Sequence, residues 1–187
     1  MIFFAYNNRI ILNDYEPRSA TLELASREIY RYNIQGSCAE LGVYRGDFAR
    51  EINHYFPDRK LYLFDTFEGF DRRDIGTERP HEKAAGGGDF SKTSVEIVLD
   101  KMEHRENCIV KKGWFPETTN GVEDKFCFVS LDADLYAPIK AGLEFFYPRL
   151  VSGCMIMVHD AVREFCTSNN IGYVCLSDSA GSAAIVK

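Results

Sequence analysis

The chain has 187 residues, enough for one domain with a sizeable core. Its 45% apolar and 27% charged residues describe a folded globular protein rather than a disordered one. A net charge of -6 argues against a sequence-independent nucleic-acid binder, which needs a basic face to neutralise phosphates.

Residues 1–13 are apolar with Asn7, Asn8 and Asn13 interspersed, an arm suited to packing on a second copy of the chain in a homodimer. Pro17 suits a first helical turn. Leu22, Ala25, Ile29 and Tyr32 then recur at helical spacing, which predicts a helix to about Tyr32, ended by Gln35-Gly36. Ser37–Val43 reads as the first strand, Asp47–Tyr55 as a helix, and Lys60–Asp65 as the second strand. Residues 66–93 hold Gly69, Gly76, Pro80 and Gly86-Gly87-Gly88 and show no period. A stretch of that kind in a compact domain reads as a lid over a ligand.

Thr93-Ser94 starts a helix carrying Val95, Val98, Leu99 and Met102. Cys108–Lys111 is a short strand, followed by an aromatic loop, Gly113 to Thr118. Phe126–Leu131 is continuously apolar, as a strand buried on both faces of a parallel sheet must be. It ends in Asp132-Ala133-Asp134, and Pro138 to Phe146 is a helix. Cys154–Val158 is a second fully apolar strand, ending in His159-Asp160. A helix marked by Val162, Phe165 and Cys166 follows, then two short strands, Tyr173–Leu176 and Ala183–Val186. This alternation predicts one α/β domain over 1–187, with a mainly parallel sheet and one antiparallel edge strand.

No run is long enough to span a bilayer, and the first residues lack the marks of a signal peptide, so the expected place is the cytoplasm. The six cysteines form no CxxC pair and mostly fall in apolar runs, where free thiols act as small buried hydrophobes.

Two features carry chemistry. Ala39-Glu40-Leu41-Gly42-Val43-Tyr44-Arg45-Gly46-Asp47 has the layout of strand, tight turn and helix start, where glycine permits a sharp bend or a close ligand. Asp65 closes the next strand about 20 residues on, where a nucleoside-binding fold places its ribose-binding carboxylate. The second feature is the set of acids at strand ends. Asp132 and His159-Asp160 would bring two carboxylates and an imidazole together. Uncompensated carboxylates repel, so a cation is expected there, and oxygen donors suit Mg²⁺, Mn²⁺ or Ca²⁺. Asp134 either joins this group or caps the helix that follows. His81, inside the expected lid, and His159 are the candidate general bases.

The strings AELGVYRGDFAR, LYLFDTFEGF, GWFPET, FVSLDADLYAPIKAGLEFFYPRL and GCMIMVHD resemble, in order and spacing, the macrocin-O-methyltransferase family. That resemblance implies a Rossmann-like class I methyltransferase fold, with a mostly parallel seven-stranded sheet and helices on both faces. It implies S-adenosylmethionine as cofactor and a hydroxyl of a sugar or natural-product glycoside as acceptor. Glu40, Gly42, Tyr44 and Gly46 would then line the methionine end, Asp65 would hold the ribose, and Thr66 and Phe67 would border the nucleoside. Asp132, His159 and Asp160 would match the family's magnesium site, with His159 in place of the usual Asp. The chain also departs from the family after Asp160, where it runs directly into the next helix and lacks residues that would wall the acceptor pocket. Three rival readings remain open: catechol or phenol methylation, a cofactor-binding protein without transferase activity, and a metal-dependent hydrolase. The turn with Asp65 speaks against the hydrolase.

Overall fold

The computed structural model describes residues 16–75, 90–159, 162–178 and 181–187. The predicted lid centre with His81, the N-terminal arm, and Asp160 lie outside these. Among the described residues, seven strands form one sheet: β1 (Ser37–Leu41), β2 (Leu61–Asp65), β3 (Cys108–Lys112), β4 (Phe126–Leu131), β5 (Leu150–His159), β6 (Tyr173–Cys175) and β7 (Ser182–Val186). Their order is β3-β2-β1-β4-β5-β7-β6. β1 to β5 run parallel; β7 runs antiparallel to both β5 and β6. The antiparallel strand therefore sits one place in from the edge, and the short, exposed β6 closes the sheet.

The central strands are apolar on both faces because helices cover both. β1 and β4 are buried along their whole length. Phe64, Phe126, Phe146 and Phe115 pack edge-on or stacked with centroids 5.0 to 6.1 Å apart, and burying each such ring is worth about 1.5–3 kcal/mol. The helices are α1 (Pro17–Arg31), α2 (Asp47–Tyr55), α3 (Arg72–Ile75), α4 (Val95–Leu99), α5 (Tyr136–Phe146) and α6 (Val162–Asn169). Leu22, Ala25 and Ile29 form the buried stripe of α1, as their spacing requires. α4 is capped by the Ser94 side chain, which accepts from the Ile97 N–H at 3.2 Å. α5 starts at Tyr136, two residues before Pro138. β5 begins at Leu150, four residues before its apolar run. Cys38, Cys127, Cys154 and Cys166 are buried free thiols, whereas Cys175 on β6 is exposed.

Strand order reverses at β1. From it the chain goes to β2 on one side and, later, to β4 on the other, which opens a crevice at the carboxyl ends of β1 and β4. Leu41 and Leu131 are paired as the last residues of these strands. Gly42 and Asp132 therefore leave the sheet side by side.

Candidate active site

Gly42 is fixed by that neighbourhood. It has φ +86, and a Cβ there would stand 2.0 Å from the Asp132 carbonyl oxygen. The glycine is thus required by the approach of two strand ends, which the Asp132 N–H to Leu41 O bond at 2.8 Å holds together. Gly46 is the left-handed residue before α2, and its missing side chain makes room for Val98 of α4. Neither glycine is explained by a ligand alone.

Between them Tyr44 also takes a left-handed conformation, φ 48. Its N–H donates to Asp65 Oδ2 at 2.8 Å, and the Phe67 N–H donates to Asp65 Oδ1 at 2.7 Å. Asp65 is therefore locked by the backbone of two separate turns, with lone pairs left for further donors such as a ribose diol. Thr66 turns back to donate to the Gly69 carbonyl and accept from the Glu68 N–H, which shapes the exit from β2.

An open cavity lies over these residues, at the carboxyl ends of β1, β2 and β4. Gly42, Tyr44, Asp65, Thr66 and Asp132 line it; Glu40, Gly46, Phe67 and His159 are not among its lining residues. Its far wall is Trp114 with Asp71 and Asp74. The Trp114 Nε1–H donates to Asp74 Oδ1 at 3.0 Å, and the Arg73 guanidinium lies 4.0 Å above the indole. Arg73 in turn bonds both oxygens of Asp71, holding that carboxyl down at about 2. Burial pushes the Asp74 carboxyl above its usual range. Phe70 and Tyr44 meet Phe90 at 4.9 and 5.2 Å, so the two ends of the predicted lid segment come together at the cavity.

The second cluster sits beside the first. Asp132, Asp134 and His159 each offer a donor atom within 4.8 Å of the others. His159 Nδ1 lies 3.3 Å from Asp132 Oδ1. Asp134 has φ 56 and precedes Leu135, the N-cap of α5. It is a member of the cluster and a lining residue of the cavity. Sequence reasoning also missed Arg18. From α1 its Nη1 donates to Asp132 Oδ2 at 2.7 Å and its Nη2 to Ser130 Oγ at 3.4 Å. The repulsion expected of bare carboxylates is thus already eased by a protein cation. Glu40 is buried beneath, with Oε2 lacking a hydrogen-bond partner among the described residues. Burial raises its pKa well above the usual range, and Arg18 opposes that shift.

This combination of glycine turn, locked strand-end acid and second acidic cluster agrees with a comparison of sequences. The family model for macrocin-O-methyltransferase (TylF) matches residues 16–171. The chain belongs to the macrocin-O-methyltransferase family. It is a class I S-adenosylmethionine-dependent O-methyltransferase. No curated protein matches it in sequence. Solved structures share its fold at low identity. The O-methyltransferase NovP is 20% identical with a TM-score of 0.75 over 91% of this chain and 79% of its own. CalS11, a calicheamicin methyltransferase, is 20% identical with a TM-score of 0.65 over 96% and 83%. An O-methyltransferase from Bacillus cereus in complex with SAH is 12% identical with a TM-score of 0.55 over 90% and 81%.

Proposed function

We propose that the chain methylates a hydroxyl of a sugar or natural-product glycoside, with the acceptor bound at Asp132, Asp134 and His159. The observation that carries this reading is that Asp132 and Asp134 belong both to the cavity wall and to the cluster. A hydroxyl held by the cluster then lies beside the cofactor's reactive end. Support for the acceptor class comes from CalS11, described also as TDP-rhamnose 3'-O-methyltransferase.

The sulfonium methyl is already activated, so the protein's work is alignment and charge management. Asp65 would hold the ribose, with Gly42, Tyr44 and Thr66 around the cofactor and Trp114 as an apolar wall. Glu40, Gly46 and Phe67 would act from beneath, by shaping the turns that carry these contacts. The hydroxyl proton would pass to His159, whose Nδ1 side faces Asp132 as an imidazole oriented by a carboxylate does. His81, the other candidate base, lies outside the described residues.

The oxygens of Asp132 and Asp134 also fit a divalent cation such as Mg²⁺, with Asp160 outside the described residues. Such an ion would gather vicinal hydroxyls and lower the pKa of the attacking one. The His159 ring completes the donor set in the alternative arrangement, as a ligand instead of a base. No helix among the described residues is long and apolar enough to cross a membrane; a cytoplasmic place of action and a homodimer belong to the same proposal.

The test is transfer of labelled methyl from S-adenosylmethionine to a panel of nucleotide sugars, glycosides and catechols, with and without Mg²⁺. Transfer to a sugar hydroxyl is expected. Transfer confined to catechols would move the acceptor to the phenolic class, and cofactor binding without any transfer would favour a non-catalytic role.

A further inference from the structure

We propose that Arg18 is a built-in counter-cation of the acidic cluster, one that a divalent ion must outcompete, so that the N-terminal helix sets how tightly the site holds metal. This rests on the divalent-ion reading above. Three contacts fix the guanidinium: Asp132 Oδ2 at 2.7 Å, Ser130 Oγ at 3.4 Å and the Phe48 ring, whose centroid is 4.4 Å away. The Arg18 side chain is only 13% exposed.

An arginine guanidinium keeps its charge at any working pH, and here it is paired with Asp132 at 2.7 Å. A full positive charge therefore stays within one hydrogen bond of a carboxylate that would ligate the ion. Two effects follow. Like charges at this separation repel strongly where water is scarce, which weakens the site for any added cation. Oδ2 is also occupied, so an incoming ion meets only the Oδ1 side unless Arg18 moves away.

Arg18 also lies on the same helix face as Leu22, Ala25 and Ile29, four, seven and eleven residues before them in the stripe. Any change in how α1 seats on the sheet is thereby carried to Asp132. Acceptor hydroxyls would help the ion win this competition by supplying oxygen ligands that the protein alone does not.

The test is titration of Mn²⁺, followed by electron paramagnetic resonance of the free ion, into the wild-type chain, Arg18→Met and Arg18→Lys. Calorimetric binding of S-adenosylhomocysteine to each variant reports that the fold and cofactor site are intact. Arg18→Met should bind Mn²⁺ about tenfold or more tightly than wild type, with Arg18→Lys near wild type. Equal or weaker Mn²⁺ binding by Arg18→Met, with S-adenosylhomocysteine still bound, would overturn the proposal. Mn²⁺ binding by none of the three would overturn it together with the metal reading, while leaving the methyltransferase assignment in place.

Discussion

Asp65 is held by the N–H of Tyr44, a residue 21 positions earlier, at 2.8 Å. This bond joins the turn after β1 to the end of β2, the two places where the proposed cofactor site lies. A left-handed Tyr44 is costly for a residue with a Cβ, by about 1–2 kcal/mol. The charged acceptor opposite offsets that cost, since hydrogen bonds to charged groups contribute about 1.5–3 kcal/mol.

Asp65→Ala should therefore do two kinds of damage. It removes the proposed ribose partner and leaves the Tyr44 and Phe67 amides without their acceptor. S-adenosylhomocysteine affinity should fall by about tenfold to hundredfold, and stability by about 2–3 kcal/mol. Asp65→Asn, which keeps one acceptor oxygen, should fall between this variant and wild type. Calorimetry and urea unfolding read both quantities.

Gly42 and Gly121 form a controlled pair. Both have positive φ, but a Cβ at Gly42 would meet the Asp132 carbonyl at 2.0 Å, whereas at Gly121 nothing lies within 4 Å. Gly121→Ala should cost only the left-handed backbone, about 1–2 kcal/mol. Gly42→Ala should cost at least about 3 kcal/mol, because β1 and β4 must part. Equal losses in the two variants would show that contact with Asp132 is not what demands glycine at 42.

At the far wall, Trp114→Phe keeps an aromatic ring but leaves the Asp74 carboxyl without the indole donor. A loss of about 1–3 kcal/mol is expected. Asp74→Asn keeps an acceptor and removes a charge that burial disfavours, so its stability at neutral pH should equal or exceed that of wild type. Thermal melts of the two variants side by side decide the point.

Glu40 predicts a pH dependence. Its folded pKa is raised well above the usual 4.5, first by burial. Above the unfolded value the folded chain keeps a proton that the unfolded chain has lost, so stability falls as pH rises from about 4.5 through the raised folded value. Glu40→Gln removes the group and should flatten this decline in cofactor-free protein. A Tm-against-pH series that declines as steeply in the variant as in wild type would place the dependence elsewhere.

Much of this was legible in the chain. Strands ending in Asp65 and Asp132 announce themselves because apolar runs must lie inside a parallel sheet and acids must leave it. The turn at Gly42 is legible too, although its cause is not: only the strand order places Asp132 beside it. Arg18 was missed because a single charge tells nothing about its partner 114 residues away. Its signal was the stripe itself, since Arg18 continues the spacing of Leu22, Ala25 and Ile29 into the buried face. Asp134 was ambiguous for a local reason. An acid two residues before a helix has the look of a cap, whereas its place within 4.8 Å of the Asp132 and His159 donor atoms depends on the neighbouring strand ends.

The account stands most directly on the cavity above Gly42, Tyr44 and Asp65. Calorimetric titration of S-adenosylhomocysteine into the wild-type chain and Asp65→Ala tests it. One-to-one binding in the micromolar range, about tenfold or more weaker in the variant, is the predicted result. No binding to the wild-type chain, or equal binding by both, would contradict the placement of the cofactor.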